Sequence, residues 1–370
     1  MYTARMSRER LEADVFSLPV DQLRRGYYSD AYFNSAKAVL EKDGLHRRVV
    51  MQVFQKRARA VLGGMDEALA VLRVAAGSFA GEDPDAEWRP GWGDLVVEAL
   101  HDGDEVGAYE TVLTIDGDYA LFAHLETVYL GVLTRRTLVS TNVREVVQAA
   151  HGKPILFFPA RFDHYRVQTG DGYAAHVAGA IGVSTDAQAS WWGGKGIGTI
   201  SHGLIAACGG DTVEATRRYA DHFHPDVNVV ALVDFDNDCV GTSVACANAL
   251  GERLWGVSLD TSETMVDRSL WDKMGTFKPT GVVPQLVREV RRALDAAGHG
   301  HVRIVVSGGF DAAKIAAFEA AGVPADAYGV GSSLLRGNTD FTADVVMVDG
   351  RPCAKAGRGP APNSRLRRVR

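Results

Sequence analysis

Two glycine-rich turns near the carboxyl end of the chain have the composition of a phosphate site. An apolar run at 302–306 leads into the first turn, and a second run at 327–330 leads into the next. Glycine turns that end two successive parallel strands place backbone N–H groups and helix N-termini side by side, where they can bind phosphate. One glycine turn ends many strands, but two with small hydroxyl residues favour a ligand. The residues expected to bind phosphate are Ser307, Gly308, Gly309, Gly329, Gly331 and Ser332.

Charged side chains follow the other apolar runs of the same half of the chain. They are Arg161 and Asp163 after the run at 155–158, Asp234 and Asp236 at the end of 227–235, and Asp260 after 254–259. His202 ends the element 198–202, which opens a predicted helix. Carboxylates accept hydrogen bonds from ribose hydroxyls or hold Mg²⁺, and a guanidinium pairs with an anion, so this set suits a phosphorylated sugar. Each residue also has a structural explanation, as a helix cap, a turn residue or a buried histidine.

The elements that would position these residues form two domains. From about residue 145 onward, apolar runs alternate with amphipathic stretches, which predicts a parallel α/β barrel whose strand ends carry the site. Before that point, 63–76 and 125–141 have helical spacing, and the Asp-Gly turns after Gly91 indicate antiparallel strands. We expect an α+β domain with a dimer-contact segment at 1–145, an α/β barrel catalytic domain at 146–350 and a basic tail at 351–370.

The composition is that of an ordinary globular protein. Its 370 residues are 46% hydrophobic and 23% charged, which allows a sizeable core. The net charge of −6 argues against a nucleic-acid partner. Four cysteines without CxxC spacing favour reduced thiols over disulfides or a zinc site. No apolar run is long enough for a membrane span and the amino terminus lacks the apolar core of a signal peptide, so we expect a cytoplasmic location.

Nine motifs, taken in order, give the chain a resemblance to the nicotinate phosphoribosyltransferase family, a group with the type II phosphoribosyltransferase fold. The resemblance runs from about Tyr27 to Arg358 and is strongest to the short archaeal-type members. The motifs are Asp30-Ala31-Tyr32-Phe33, Gly63-Gly64-Met65-Asp66-Glu67-Ala68, Leu125-Glu126-Thr127, Phe158-Pro159-Ala160-Arg161, Gly198-Thr199-Ile200-Ser201-His202, Val233-Asp234, Leu259-Asp260-Thr261, Ser307-Gly308-Gly309 and Tyr328-Gly329-Val330-Gly331.

The resemblance implies an activity and its cofactors. The family couples nicotinate to phosphoribosyl pyrophosphate (PRPP), which makes nicotinate mononucleotide for NAD synthesis. ATP commonly serves as co-substrate through a phosphorylated histidine, and His202 falls on that position. Mg²⁺ is the expected metal, although its ligands are not identified. A homodimer or a higher homo-oligomer is expected.

The resemblance also assigns the remaining site residues. The pyridine ring would lie between Phe158 and a tyrosine from a neighbouring subunit, which Tyr32 matches. Arg161 matches the arginine beside the ring. The catalytic set is His202, Asp234 and Asp260, of which Asp260 matches the ribose-binding aspartate, and the two glycine turns match the 5′-phosphate site. Thr185 and Asp186 are further expected to bind substrate.

Two departures from the family pattern leave the accepted base open. Relatives usually have Arg-Leu-Asp where this chain has Ser258-Leu259-Asp260, and Asp163 stands where some have a second basic residue. Both changes remove positive charge, so nicotinamide or another pyridine-like base is an alternative, and Asp186 could accept a hydrogen bond from an amide. A quinolinate-type enzyme would need more cations for two carboxylates. A non-catalytic nucleotide-binding barrel is the other alternative, against which His202, Asp234 and Asp260 together argue.

Overall fold

The computed structural model describes residues 9–81, 83 and 86–370, arranged as two compact units. The first unit runs to Thr141 and resumes at Gly337, and the second is Asn142–Arg336. The amino-terminal stretch that argued against a signal peptide falls partly on residues 1–8, outside the described residues. Within the described parts of the chain, no helix combines the length and the apolar character needed to cross a membrane.

Both units contain strands and helices. The strands are β1 (Arg48–Gln55), β2 (Arg59–Val61), β3 (Gly77–Phe79), β4 (Trp88–Pro90), β5 (Val96–Ala99), β6 (Glu105–Gly107), β7 (Thr111–Asp118), β8 (Ile155–Phe157), β9 (Gly182–Val183), β10 (Val230–Leu232), β11 (Gly256–Leu259), β12 (Arg303–Val306), β13 (Ala327–Val330), β14 (Phe341–Val348), β15 (Arg351–Pro352) and β16 (Arg367–Arg368). The α-helices are α1 (Val20–Arg24), α2 (Ala31–Lys42), α3 (Met65–Ala75), α4 (Glu126–Ala149), α5 (Gln168–Ala178), α6 (Asp186–Ala189), α7 (His202–Ala207), α8 (Thr212–Phe223), α9 (Cys239–Leu250), α10 (Pro284–Ala296) and α11 (Ala312–Ala320).

The first unit is built on a six-stranded antiparallel sheet with the order β15-β14-β1-β7-β5-β16. Its central strand β1 has both faces covered, so its sequence RVVMQVFQ is buried over most of its length and does not alternate. Helix α3 adds Met65, Leu69 and Leu72 to the same core, which also holds Val53 of β1. The predicted helix at 63–76 therefore corresponds to α3.

Residues from Gly337 to the carboxyl terminus complete this sheet. Strand β14 pairs along nearly the whole of β1, from Val49 opposite Val348 to Gln55 opposite Phe341. Arg367 and Arg368, expected in a basic tail at 351–370, form β16 and pair with β5, and both remain exposed. The sequence pattern predicted β14 as part of a barrel at 146–350, but this strand belongs to the first unit. The local sequence of a strand does not indicate that its partner lies almost three hundred residues away in the chain.

The second unit contains a parallel sheet with the order β10-β11-β12-β13-β8-β9. Every residue of β10, β11 and β13 is buried, which explains why these strands read as continuous apolar runs. Outside the sheet, α10 turns the stripe Leu286, Val287, Val290 and Leu294 inward and packs against α9. The predicted α/β architecture is confirmed.

A short irregular segment closes the sheet into a ring. The Ile197 N–H donates to the Val183 carbonyl of β9 at 2.8 Å, and the Ile200 N–H donates to the Val230 carbonyl of β10 at 3.2 Å. The segment 197–200 thus bridges the two edge strands. Since the strands are parallel, all their carboxyl ends lie at one rim of this barrel, and the loops that follow them share that rim.

Candidate active site

A cavity of about 370 Å³ lies at this rim, where the carboxyl ends of β8, β10, β11 and β12 meet. Residues 199–203 and Leu232 form part of its wall. The polar and aromatic side chains that line the rest are Phe158, Arg161, His202, Ser258, Asp260 and Ser307. Five of these six were singled out in the sequence as site residues, and Ser258 was noted only as a departure from the family pattern.

Asp260 is held in place by the neighbouring strand. The Ser307 hydroxyl donates to Asp260 Oδ1 at 2.8 Å, and the Ser307 N–H donates to the Leu259 carbonyl at 2.9 Å. This contact forms because Asp260 and Ser307 each directly follow one of the paired strands β11 and β12. The Asp260 carboxylate therefore has a fixed position on the cavity wall, with one oxygen engaged by a serine and no lysine or arginine in an ion pair with it among the described side chains.

His202 and Asp234 form a pair across two loops. His202 Nε2 lies 3.0 Å from Asp234 Oδ1, the histidine side chain is 47% exposed and the aspartate side chain is 9% exposed. Burial raises the pKa of the Asp234 carboxyl, the nearby His202 opposes this shift, and the charge of Asp260 adds to it. Helix α9 is capped by Asp238, which leaves Asp234 free of the capping role considered from the sequence.

The helix that begins at His202 is capped by Ser201. The Ser201 hydroxyl accepts a hydrogen bond from the Leu204 N–H at 3.2 Å, which fixes the start of α7 and with it the histidine. His202 is therefore placed by a local capping interaction and oriented by a long-range contact with Asp234. The charge of Asp260 acts on Asp234, which shows that both carboxylates share one electrostatic environment.

The two glycine turns present backbone donors without partners. Gly308 and Gly309 have φ values of 83° and 67°, which residues with side chains rarely adopt. No described atom accepts a hydrogen bond from the N–H groups of Gly308, Gly309, Gly331 or Ser332. Strands β12 and β13 are adjacent, so these donors lie on neighbouring loops of the rim. Such a group of free N–H donors is typical of an anion-binding site.

Aromatic rings pack directly onto the glycines of the second turn. The Phe158 N–H donates to the Val330 carbonyl at 2.8 Å, and the Phe158 ring lies so close to Gly329 that a Cβ there would be 3.0 Å from a ring carbon. Phe162 covers Gly331 in the same way, at 2.9 Å. The Arg161 guanidinium lies 5.4 Å from the centroid of the Phe162 ring. Arg161 forms no ion pair within the described part of the chain, so its charge is available to an anion.

Three of the expected substrate-binding residues lie elsewhere. Thr185 caps α6 and donates to Gln168 Oε1 at 3.0 Å, and the Asp186 carboxylate accepts the Gly196 N–H at 2.8 Å. Neither lines the cavity, and Asp186 instead anchors the segment that closes the barrel and continues to His202. Tyr32 belongs to the first unit, where the residue is 64% exposed.

Sequence reasoning passed over Lys314, which contacts the first glycine turn. Its Nζ donates to the Gly308 carbonyl at 3.0 Å from the first turn of α11. The available signal was positional, since a lysine in the first turn of a helix that follows a glycine turn lies near the turn's carbonyls. Among the described residues, no group of three or more His, Cys, Asp or Glu side chains has the arrangement of a metal site. A metal at this rim would therefore need ligands from the substrate in addition to Asp234 or Asp260.

Sequence comparison identifies related proteins. Residues 30–137 match the family described as quinolinate phosphoribosyl transferase, N-terminal domain. Over 270 residues the chain is 31% identical to the nicotinate phosphoribosyltransferase pncB1 of Mycobacterium tuberculosis, with 70% of this chain and 55% of that protein covered. The chain thus spans about half the length of this curated relative.

Solved structures agree with the sequence matches. The crystal structure of nicotinate-nucleotide pyrophosphorylase from Pyrococcus furiosus has a TM-score of 0.77 and 30% identity, over 94% of this chain and 84% of that chain. The crystal structure of human nicotinic acid phosphoribosyltransferase has a TM-score of 0.67 over 90% of this chain and 77% of that chain. At 17% identity, this match is evidence for the fold only. The fold is that of the type II phosphoribosyltransferases. The Pyrococcus furiosus protein is 30% identical over most of both chains, and the curated relatives are named nicotinate phosphoribosyltransferase. This chain therefore belongs to the nicotinate phosphoribosyltransferase family.

Proposed function

We propose that this protein transfers the phosphoribosyl group of PRPP to nicotinate, giving nicotinate mononucleotide and pyrophosphate in NAD salvage. The observation that carries the proposal is the meeting of Asp260, Arg161 and the donor-rich glycine turns at one rim. A 5′-phosphate fits the free N–H groups, the ribose fits the carboxylates, and the carboxylate of the base fits the guanidinium. Family membership supports the same activity.

The carboxylates would act on the sugar. In the transfer, the bond from the anomeric carbon to pyrophosphate oxygen breaks and a bond to the pyridine nitrogen forms, through a transition state in which the sugar carries positive charge. A fixed negative charge stabilises such a state because it needs no reorganisation. Asp260, locked by Ser307, meets that requirement, and Asp234 adds a second carboxyl group nearby. No protein nucleophile is needed.

The base would bind between Arg161 and an aromatic wall. Phe158 is fixed against Gly329 and offers a ring face at the cavity wall, while Arg161 supplies a charge-assisted hydrogen bond to a carboxylate. Tyr32 would contribute the opposite face of the sandwich from a neighbouring subunit. The enzyme would accordingly be a homodimer or a higher homo-oligomer, and its cytoplasmic location stays a prediction.

Mg²⁺ fits the groups present. This ion is usually held by one or two carboxylates together with substrate phosphates and water, and Asp234 and Asp260 provide that number of carboxylates. When bound, Mg²⁺ would neutralise the charge that develops on the leaving pyrophosphate. Asp234 or Asp260 would hold the ion together with substrate phosphates and water, and Ser307 would keep Asp260 in position.

ATP coupling would act through His202. With the Nε2–H donating to Asp234, the lone pair of the ring is on Nδ1, and a half-exposed ring gives a phosphoryl donor access to that nitrogen. Asp234 would stabilise the positive charge that the ring gains on phosphorylation. ATP is therefore proposed as a co-substrate that stimulates the transfer.

Nicotinamide is the second candidate base, on one specific observation. Ser258, a neutral residue, lines the cavity beside Asp260, so Arg161 is the one permanently charged cation among the lining residues described. Lower positive charge weakens the preference for a carboxylate. A single arginine in the described lining also argues against quinolinate as the base, because its two carboxylates need more than one cation.

A pyrophosphate-release assay tests the proposal directly. Purified protein is supplied with PRPP and Mg²⁺ and with nicotinate, nicotinamide or quinolinate, each with and without ATP. Release that depends on nicotinate and increases with ATP is expected. Faster release with nicotinamide would show that nicotinamide is the accepted base. Faster release with quinolinate would show that the protein is a decarboxylating phosphoribosyltransferase. Binding of PRPP with no release for any base would make it a non-catalytic binding barrel.

A further inference from the structure

Lys314 is half-buried beside the first glycine turn and lies between two groups that fix it. Its Nζ donates to the Gly308 carbonyl at 3.0 Å and lies 4.2 Å from the centroid of the Phe310 ring. Phe310 is itself buried and packs against Phe318 and Tyr328 at centroid distances of 4.9 and 5.5 Å. The ammonium therefore rests on a rigid aromatic platform and reaches a single carbonyl.

The charge of Lys314 has no paired anion within the described part of the chain. Burial lowers the pKa of Lys314, and the charges of Glu263 and Asp311 raise it. Neither carboxylate is close enough to Lys314 to form an ion pair with it. Removing an ammonium from water without a counter-ion destabilises a protein unless another interaction compensates. An anion bound at the adjacent turn would provide that compensation.

The hydrogen bond to the Gly308 carbonyl determines the direction of the next donor. In a trans peptide the C=O and the following N–H point in opposite directions. The Gly308 carbonyl points to Lys314, so the Gly309 N–H points away from that ammonium. That N–H is one of the free donors of the turn, and the glycine φ values of 83° and 67° leave this peptide easy to rotate when nothing holds it.

We propose that Lys314 is a positioning residue of the phosphate site, which fixes the Gly308–Gly309 peptide so that its N–H faces the phosphate of a sugar-phosphate substrate. The inference rests on the proposed function, because it assumes that the glycine turns bind the 5′-phosphate. Lys314 itself acts through the Gly308 carbonyl. It holds the Gly309 N–H in its binding orientation, so the glycine turn does not have to become ordered when the phosphate binds. The positive charge of Lys314 lies on the side of the Gly308–Gly309 peptide away from the phosphate.

The test compares Lys314→Met with a matched lysine of the same unit. Methionine keeps an unbranched stem over Phe310 and removes the ammonium. Lys153 is the control, since its Nζ also donates to a carbonyl, that of Val323 at 3.2 Å, and pairs with Glu319 at 2.8 Å. Lys153 precedes β8 and so lies at the opposite end of the strands from the rim.

Ribose 5-phosphate binding by titration calorimetry and PRPP kinetics are the two measurements. For Lys314→Met we expect about tenfold weaker ribose 5-phosphate binding and about a tenfold higher KM for PRPP, with kcat within about twofold of wild type. Lys314→Arg should recover most of the affinity. Lys153→Met should lower Tm and leave both binding constants unchanged. Should Lys314→Met fail to fold, Lys314→Gln, which keeps a neutral donor, is expected to show an intermediate loss of affinity.

The outcomes separate this inference from the proposed function. If wild type binds neither ribose 5-phosphate nor PRPP, the proposed function fails and the inference fails with it. If wild type binds both and Lys314→Met binds them equally well, the function stands and the positioning role is overturned. An equal loss of affinity in Lys153→Met would also overturn it, because the effect would then follow from general destabilisation.

Discussion

Asp234 and Asp260 are two carboxylates of one rim that are held by different partners. Asp260 accepts from an uncharged hydroxyl and lines the cavity, whereas Asp234 is almost fully buried and faces an imidazole. A carboxylate with a neutral donor retains most of its field, so Asp260 is suited to stabilise a cationic sugar. A carboxylate beside a histidine mainly orients and charges that ring. The two residues should accordingly give different phenotypes.

Asp260→Asn should lower kcat by about a hundredfold, with a smaller effect on KM for PRPP. The amide keeps the shape and can still accept from Ser307, so the change removes charge alone. Steady-state kinetics of the variant, with Asp236→Asn as the control for an aspartate after the neighbouring strand, measures the effect. An unchanged kcat would assign Asp260 a structural role.

His202→Ala should abolish stimulation by ATP and leave a slower, ATP-independent transfer, because the role proposed for the histidine is energy coupling and not action on the sugar. Rates are compared with and without ATP, and ADP release is followed separately. Asp234→Asn should weaken ATP stimulation in the same direction, since Nε2 would lose its charged partner. Full ATP stimulation in the alanine variant would rule out the proposed role of His202.

Nicotinate should be preferred over nicotinamide by about ten- to a hundredfold in kcat/KM, because a charge-assisted bond to Arg161 contributes about 1.5–3 kcal/mol. Asp186, which could have opposed a carboxylate, is engaged by the Gly196 N–H and does not line the cavity. Ser258→Arg, at a cavity-lining position, should raise the nicotinate to nicotinamide ratio further. A wild-type ratio below one would contradict the assignment of nicotinate.

At the scale of elements, the strands could be predicted where burial on both faces leaves a continuous apolar run. Strands β8 and β10 to β13 each coincide with such a run, and their carboxyl ends placed Arg161, Asp260 and the glycine turns correctly at one rim. Strand β9 and the bridging segment 197–200 are too short or too irregular for any periodicity. The contact of Asp186 with the Gly196 N–H, just before that segment, could not be inferred from spacing. The capping box of Thr185 and Gln188, by contrast, has a recognisable sequence pattern.

Helix α4 carries a carboxyl group whose ionisation should destabilise the first unit. Burial, with the charges of Asp344 and Asp30, raises the pKa of Glu126 from 4.5 to about 7. Between these two values the folded state holds a proton that the unfolded chain has lost, so this group's contribution to stability falls as pH rises through the window. Above pH 7 the folded protein bears a charge that its surroundings disfavour.

Glu126→Gln should therefore raise Tm at pH 8, by about 2–4 °C for each kcal/mol added to the free energy of unfolding. At pH 5 the change in Tm should be small, because the wild-type carboxyl is already protonated there. Differential scanning calorimetry at both pH values measures the difference. Glu98→Gln, at an exposed position of β5, is the control and should not shift Tm at either pH. Equal stabilisation at pH 5 and pH 8 would show that ionisation is not the cause.

At the scale of the whole molecule, the chain builds its first unit from both of its ends. The pairing of β14 with β1 joins segments almost three hundred residues apart, a non-local contact that no sequence window contains. The alternation of apolar runs with amphipathic stretches was sufficient to predict the α/β architecture. The exact membership of each unit was not predictable, because it follows from long-range strand pairing, and the same is true of the contact between His202 and Asp234.

An exposed aromatic surface on the first unit is suited to the proposed contribution of one subunit to the base site of another. Tyr27, Tyr28 and Tyr32 are 72%, 44% and 64% exposed, which is unusual for neighbouring tyrosines on a free surface. The start of α2 that carries Tyr32 is fixed, since the Thr127 hydroxyl donates to Asp30 Oδ2 at 2.9 Å. Tyr32 is thus presented outward by a rigid element, as expected for a residue that contributes to a neighbour's base site.

Mixing Tyr32→Ala with Asp260→Asn should restore activity that neither variant has alone. If Tyr32 serves the partner's barrel, each mixed dimer contains one site with both residues intact, and random exchange should recover about a quarter of wild-type activity. The control mixture pairs Asp260→Asn with Arg161→Ala, two changes that both lie in the barrel. Each barrel of that control carries one defect whatever its partner, so no recovery is expected. Absence of recovery in the first mixture, with subunit exchange demonstrated by native mass spectrometry, would show that Tyr32 does not act across the interface.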